Sequence, residues 1–445
     1  RIQNSGGQVH VDSIKIPTHN GQWVVADLFR PRSVTADSPA PFVVVIPGFQ
    51  RSKEALSNVA IELSRRGFVA ASIDPYAQGS SSASLSRIAA TTEGYGMFAL
   101  VDYVASSTNL NYVDRSRIGA TGHSAGGNAA IRGANYFGRE AARTGNPSKL
   151  HSVYVSGYVL TLTDEVLQDV RSNVGVAYAL YDEGAYRNEY GHGDMRIAPE
   201  ALRAVNSGLP ESAAISEVEL GRYYGDPQQR TLRVIHNERN LHPFQPYMAE
   251  AIANQISYFE KVLDVQSGLD PYDQVWQWRE ILGVIALIAA LVAIIPMGHF
   301  LLQTAPFRQL VNTIPPPLPR PAGRGRAIFW TAFAIGAVIA CVTYIPMAEL
   351  SQKLFVAAST RQLTWFFPQR MNNAVMLWAI LNGTVGFLMF WLTYRYFGRR
   401  HGITPAYWGA AITARDLGKT LALALLLFTA FFQTLFAIYY ILHVD

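Results

Sequence analysis

Gly122-His123-Ser124-Ala125-Gly126 is the part of this 445-residue chain best equipped for chemistry. The apolar stretch Ile118-Gly119-Ala120-Thr121 runs into it, and the small residues Asn128-Ala129-Ala130-Ile131 follow as a helix. A serine between two glycines at a strand-to-helix junction is the G-x-S-x-G nucleophile elbow, a strained turn that presents the hydroxyl. Gly122 and Gly126 lack side chains, so strand and helix can pass closely there, and Gly127 adds room. A serine hydroxyl is a poor nucleophile at neutral pH. It needs a base to take its proton and an acid to orient that base. Downstream, the apolar strand 174–181 ends in Asp182-Glu183. Asp182, the first residue past the strand, is the preferred acid and Glu183 the reserve. The strand 231–236 leads into His236-Asn237-Glu238-Arg239-Asn240-Leu241-His242-Pro243, which offers two bases. His236 stands at the strand end, and His242 stands just before the final helix.

These groups need a scaffold, and its periods are readable. Residues 8–16 and 22–29 alternate apolar and polar, as half-buried strands do, around a turn at His19-Asn20-Gly21. Residues 42–46 are continuously apolar, as in a strand buried on both faces, and end at Pro47-Gly48-Phe49-Gln50. A helix is expected over 53–66, stopped by Gly67, then a buried strand over 68–73, a Ser-rich loop over 79–86 and a helix over 94–106. Further strands are expected at 151–160, 174–181 and 231–236. An amphipathic helix is expected over 243–263, with Ile252, Ile256, Phe259 and Val262 at helical spacing. A hairpin followed by alternating strands and helices predicts the α/β class, a mostly parallel sheet with helices on both faces. Sites in such sheets lie at the carboxyl ends of the strands.

Residues 8–264 resemble the α/β-hydrolases, in particular the bacterial branch similar to dienelactone hydrolases and their esterase relatives. The resemblance rests on Pro47-Gly48-Phe49, on Asp74-Pro75-Tyr76-Ala77-Gln78-Gly79-Ser80 after the next strand, and on the run from Asp114 through the elbow to Gly127. It rests also on the strand ending in Tyr181-Asp182-Glu183 and on a histidine just before the last helix. It implies the chain order Ser124, Asp182, His242, with His242 rather than His236 as base. It implies that His123 packs beneath the elbow beside Gly122 and Gly126. The oxyanion hole falls to the backbone N–H groups of Ala125 and Phe49, although many relatives carry His-Gly where this chain has Pro47-Gly48. A carboxylic ester, including an acyl or lipid ester, is the implied substrate, and no metal or organic cofactor is required. Gly191-His192-Gly193-Asp194 offers too few ligands for a metal. Residues 184–228 read either as a cap lined by aromatics or as a helical excursion whose tyrosines are core. Gln50, Tyr76, Tyr186, Tyr223 and Tyr224 are the expected pocket residues. A peptidase of the same fold and a non-catalytic receptor or assembly module are the alternatives.

Charge divides the chain. Residues 276–445 carry 13 Lys and Arg against 4 Asp and Glu, whereas residues 1–275 carry 24 against 28. The overall net charge of +5 therefore does not describe a nucleic-acid surface, because the excess cations lie between apolar runs. Cys341 is the sole cysteine, which excludes an intrachain disulfide. Four apolar runs, at about 281–303, 327–349, 374–397 and 419–442, are each long enough to span a bilayer, with Trp276 and Trp278 at the first interface. The first connecting loop holds Arg308, Arg320, Arg324 and Arg326. The third region holds Arg395, Arg399, Arg400, Arg415 and Lys419, and the second loop only Lys353, Arg361 and Arg370. The positive-inside rule then sets the first and third loops in the cytoplasm and the hydrolase part outside. A chain beginning at Arg1 leaves room for an export signal or a membrane helix upstream. The spans lack charged residues at depth, which disfavours an ion-coupled transporter. The expected organisation is a hydrolase domain over 1–267, a linker over 268–280 and a multi-pass membrane domain over 281–445, in contact with the lipid bilayer.

Overall fold

The computed structural model describes residues 2–442 apart from 19, 20, 85, 87, 316, 319, 361, 363, 365, 366 and 368. His19, Asn20 and Arg361 thus lie outside the described residues. Two compact units result. One comprises Arg1–Arg279 with Phe355–Arg370, the other Glu280–Leu354 with Met371–Asp445.

In the first unit, β1 (Val9–Pro17) and β2 (Trp23–Pro31) form the antiparallel hairpin, and β2 continues antiparallel onto β4 (Val69–Ile73). The remaining strands are parallel: β3 (Ala40–Ile46), β4, β5 (Val113–His123), β6 (Ser152–Ser156), β7 (Asn173–Ala179) and β8 (Arg233–Glu238). The sheet order is β1-β2-β4-β3-β5-β6-β7-β8, and this is the α/β-hydrolase fold. The helices are α1 (Ser57–Arg65), α2 (Ala89–Thr92), α3 (Met97–Ser106), α4 (Ala125–Thr144), α5 (Asp164–Leu167), α6 (Pro199–Asn206) and α7 (Ala249–Val262). Alternation along β3 shows why the sheet needs cover on both sides. Phe42, Val44 and Ile46 enter one apolar cluster, and Val43 and Val45 enter the other. β4 and β5 flank β3 on opposite sides, so the chain leaves β3 and β5 next to each other at their carboxyl ends.

Two expectations change, and a third is narrowed. Residues 184–228, read either as a cap or as a helical excursion, form the crossover from β7 to β8. Met195, Ala201, Ala204 and Val205 of this stretch are fully buried in the main core. The helix expected from 243 begins at Ala249, because Pro246 lies in a separate 3-10 segment, His242–Tyr247. The segment expected to be a linker is folded onto the domain. Arg65 donates to the Asp273 carbonyl (2.8 Å) and Arg66 to those of Asp270 (2.8 Å) and Asp273 (2.9 Å). Glu62 Oε1 accepts the N–H groups of Val275 (2.7 Å) and Trp276 (3.1 Å), and the Trp276 side chain packs on Ile252 and Ile256.

The second unit is helical: most of α8 (Trp276–Leu302), α9 (Arg324–Leu354), α11 (Arg370–Thr393) and α12 (Ala414–Leu442). The short α10 (Val356–Ser359) falls in the first unit. Four helices are long and apolar enough to cross a membrane, with bounds Trp276–Leu302, Arg324–Leu354, Arg370–His401 and Ala414–Ile441. At about 1.5 Å per residue each exceeds a ~30 Å hydrocarbon layer. Their large side chains, such as Ile285, Phe333, Phe387 and Leu425, face outward, an arrangement suited to lipid and a liability in water. Trp378 Nε1 donates to the Ala340 carbonyl at 2.9 Å, tying α11 to α9.

Candidate active site

The elbow follows from close packing at the end of β5. Ser124 has φ 58° and ψ −117°, a strained backbone for a non-glycine residue, and α4 begins at the next position. A Cβ on Gly122 would lie 2.4 Å from the Gly126 carbonyl carbon, and one on Gly126 only 1.9 Å from the Ile46 oxygen. Only glycine fits either place. Ile46 pairs with Gly122 in register, which brings the turn after β3 beside the elbow. A Cβ on Gly48 would lie 3.5 Å from that of Ser124. Phe49, next in that turn, lines the space in front of the serine. The Ala125 N–H, first in α4, meets no acceptor among the described residues and stands at the positive end of the helix.

Asp182 and His242 arrive on two loops that are bonded together. Leu180 N–H donates to the Glu238 carbonyl (2.8 Å) and Tyr181 N–H to that of Asn240 (3.1 Å), extending the β7–β8 pairing beyond the strands. His242 Nδ1 then lies 2.8 Å from Asp182 Oδ2, while Asp182 Oδ1 accepts the Gly184 N–H at 2.7 Å. Burial works against ionisation of Asp182. The hydrogen bond and charge of His242, with the Gly184 N–H and the Tyr178 hydroxyl, outweigh it and hold the carboxyl below its ordinary range. Ser124 and His242 line the same two cavities. Ser124 Oγ makes no hydrogen bond among the described residues, as is common before substrate tightens such a site.

His123 is buried, and its ring centroid lies 4.5 Å from that of His242. Burial, and then the neighbouring His242, push its pKa down to about 3, so it stays neutral. His236 lies elsewhere. Its Nδ1 is 3.0 Å from the Tyr154 hydroxyl, and burial lowers its pKa to about 4. Glu183 is exposed and lines neither cavity.

The cavities hold about 300 Å³ and about 200 Å³ and flank Ser124. The larger is lined by Tyr95, Asn128, Tyr158, Tyr178 and Arg187, none of them expected there from sequence. Asn128 had a readable signal, since it stands four residues after Ser124 and so one helical turn on. Tyr178 likewise precedes Asp182 by four. Tyr95 and Tyr158 sit in connections with no such period. The expected pocket residues lie elsewhere. Tyr76 is buried, with its hydroxyl 2.9 Å from Thr18 Oγ1. Tyr186 is 76% exposed. Tyr223 packs against the core on the far sheet face, and the Tyr224 hydroxyl accepts the Glu219 N–H. Gln50, at φ 56°, lines neither cavity. Among the described residues no group of three or more His, Cys, Asp or Glu side chains could hold a metal ion.

Residues 1–183 match the family described as PETase, PET hydrolase-like. The N-terminal unit has the α/β-hydrolase fold. No curated protein matches the chain significantly. Similar solved structures include an esterase of Pyrococcus furiosus, 12% identical with TM-score 0.41, covering 58% of this chain and 94% of that one. A hyperthermophilic esterase of Pyrobaculum calidifontis is 18% identical with TM-score 0.37, covering 57% and 83%. Dipeptidyl peptidase 4 of Porphyromonas gingivalis is 13% identical with TM-score 0.39, covering 57% and 36%.

Proposed function

We propose that this domain is a serine hydrolase of carboxylic esters, anchored in the membrane by the C-terminal helices with its site outside the cytoplasm. One observation carries the reading: the Asp182–His242 pair opens on the cavity that the strained Ser124 also lines.

In this mechanism Ser124 Oγ attacks the ester carbonyl while His242 Nε2 takes its proton. Asp182 accepts the Nδ1–H bond, fixes the tautomer and stabilises the imidazolium. The Ala125 and Phe49 N–H groups hold the tetrahedral oxyanion, and each such donor is worth roughly 10²–10³ in rate. The imidazolium gives its proton to the departing alkoxide, leaving an acyl-enzyme. Water, deprotonated by His242, then releases the carboxylic acid. The lining of Phe49, Tyr95, Tyr158 and Tyr178 favours an apolar or aromatic group on the substrate. The arginine-rich first and third loops support the outward placement.

A membrane-impermeant fluorophosphonate applied to intact cells tests both parts. Labelling that disappears in Ser124→Ala is the expected result. Labelling only after lysis would retain the enzyme and reverse the topology. Folded protein unlabelled in both preparations would refute the activated serine.

A further inference from the structure

The buried cations of the hydrolase unit follow a rule with one exception. Lys53, 3% exposed, pairs with Asp27 at 3.2 Å and with Glu54. Arg66, 2% exposed, pairs with Glu62 at 2.9 Å. Arg233 is equally buried at 2% but has no carboxylate partner among the described residues. Its Nη1 donates to the carbonyls of Ser172 (3.0 Å) and Leu232 (2.9 Å), and its Nε to Ser207 Oγ (3.1 Å). A buried ion without a counter-ion is costly, and here burial drags the guanidinium pKa down to about 10.

Arg233 lines a cleft of about 480 Å³ shared with two further arginines. Arg230, in the left-handed region at φ 59°, donates from Nη1 to the Ser148 carbonyl at 2.7 Å. Arg171 donates from Nη1 to the carbonyls of Gln168 and Val170. Neither pairs with a carboxylate among the described residues, and no acid lines the cleft. Ser148, 5% exposed, also lines it, and its Oγ is buried without a hydrogen-bond partner. The carbonyls and the end of α4 at Gly145 supply partial negative charge. A helix terminus contributes only roughly half a charge, against three guanidinium charges.

We infer that this cleft is a binding site for a phosphate group, held by Arg171, Arg230, Arg233 and the Ser148 hydroxyl. Guanidinium forks match phosphate oxygens two at a time, and a neutral hydroxyl completes such a set without repulsion. The volume exceeds that of phosphate alone, so a phosphate monoester with a modest organic part fits. The cleft lies where β7 and β8 begin, and Ser124 lies where β5 ends. A six-residue strand spans roughly 20 Å, so the two sites are separate.

Thermal unfolding of the full chain in detergent, titrated with inorganic phosphate at constant ionic strength, tests the site. Expected is a saturable rise in Tm that chloride does not give. Arg230→Gln and Arg171→Gln should each weaken binding at least tenfold while Ser124 labels as in wild type. Gln229→Glu, which places a carboxylate in the cleft, should weaken phosphate equally without lowering the Tm of the free protein, and so guards against a misfolded arginine variant. Dihexanoyl phosphatidic acid run in parallel separates the sources. Affinity equal to that of inorganic phosphate marks a soluble ligand, and tighter binding marks a lipid headgroup. No rise beyond chloride, or a rise unchanged in all three variants, overturns the site.

Discussion

Asp182 Oδ2 and His242 Nδ1 stand 2.8 Å apart across 60 residues of chain. Within the intervening crossover, the Gly184 N–H steadies the carboxylate by donating to Asp182 Oδ1 at 2.7 Å. Two backbone bonds just beyond β7 and β8 bring the loops together. Asp182→Asn should keep this shape but remove the charge and leave Nδ1 facing an amide. Turnover of a chromogenic short-chain ester is expected to fall by about 10³–10⁴ in kcat with little change in KM. Glu183→Gln, exposed and off the cavity, should stay within about twofold. A comparable loss in both variants would count against the assignment of Asp182.

The elbow glycines have a different signature, because their role is steric. At Gly126 an added methyl would meet the Ile46 carbonyl at 1.9 Å, and backbone cannot move aside as a side chain can. Gly126→Ala is therefore expected to cost at least the ~1–3 kcal/mol typical of overpacking. At about 2–4 °C per kcal/mol the loss is measurable as Tm. Ser124 labelling should fall with it, whereas Ser124→Ala should lose labelling and keep its Tm.

Local signals and distant contacts were unequally legible in the sequence. The elbow is a continuous string, and the four long helices are continuous apolar runs, so neither depends on remote contacts. The parallel strands also announce themselves, since burial on both faces leaves runs such as 42–46 wholly apolar. Choosing His242 over His236 needed the resemblance, for both follow the same strand. The tyrosines misled because an aromatic in a connection serves a pocket and a core equally well. Tyr224 became core only through the packing of the crossover on the sheet. The clasp on residues 270–276 was hidden for a related reason. Its partners Glu62, Arg65 and Arg66 lie more than two hundred positions away.

Asn128, which lines the larger cavity, and Tyr186, which does not, should behave oppositely. The Asn128 side-chain amide oxygen is buried without a hydrogen-bond partner, and Asn128 lines the cavity that Ser124 also lines. A substrate polar group can satisfy it, and an unmet buried polar group is worth about 1–3 kcal/mol. Asn128→Ala should change KM for esters with a polar acyl group by about tenfold or more, and leave simple alkyl esters nearly untouched. Tyr186→Ala should alter neither. Equal effects of the two variants across an ester series would show that residues 184–228 do cover the site.

Acid should weaken the hydrolase unit early. Burial lowers the pKa of His123 to about 3 and those of His151 and His236 to about 4, from an ordinary 6.5. Between those limits the unfolded chain takes up protons that the native state refuses. The stabilisation is complete above about pH 6.5 and is lost as pH falls towards 4. Each histidine contributes a slope of about 1.4 kcal/mol per pH unit in that window. Melts between pH 7.5 and 5 should show a steep fall in Tm, and His236→Gln should flatten it by about a third. A profile flat to pH 5 would contradict neutral burial of all three.

Glu62 joins the α/β-hydrolase fold to the start of the first long helix, and its removal should be among the most damaging changes away from the site. The side chain is fully buried and meets four groups. Oε2 pairs with Arg65 (2.7 Å) and Arg66 (2.9 Å), and Oε1 takes the N–H groups of Val275 and Trp276. Glu62→Ala would strand the buried Arg66 guanidinium and uncap the helix that begins at Trp276. Breaking a buried pair from one side costs about 3–5 kcal/mol. Glu62→Gln keeps the cap acceptor but loses the charge, so it should fall between wild type and Glu62→Ala in Tm. Proteolysis distinguishes a local from a global effect. A clasp that opens locally exposes residues 268–275 to cleavage while Ser124 still reacts with fluorophosphonate. Cleavage throughout the hydrolase unit, with labelling lost in step, would mean that Glu62 supports the whole fold and not the junction.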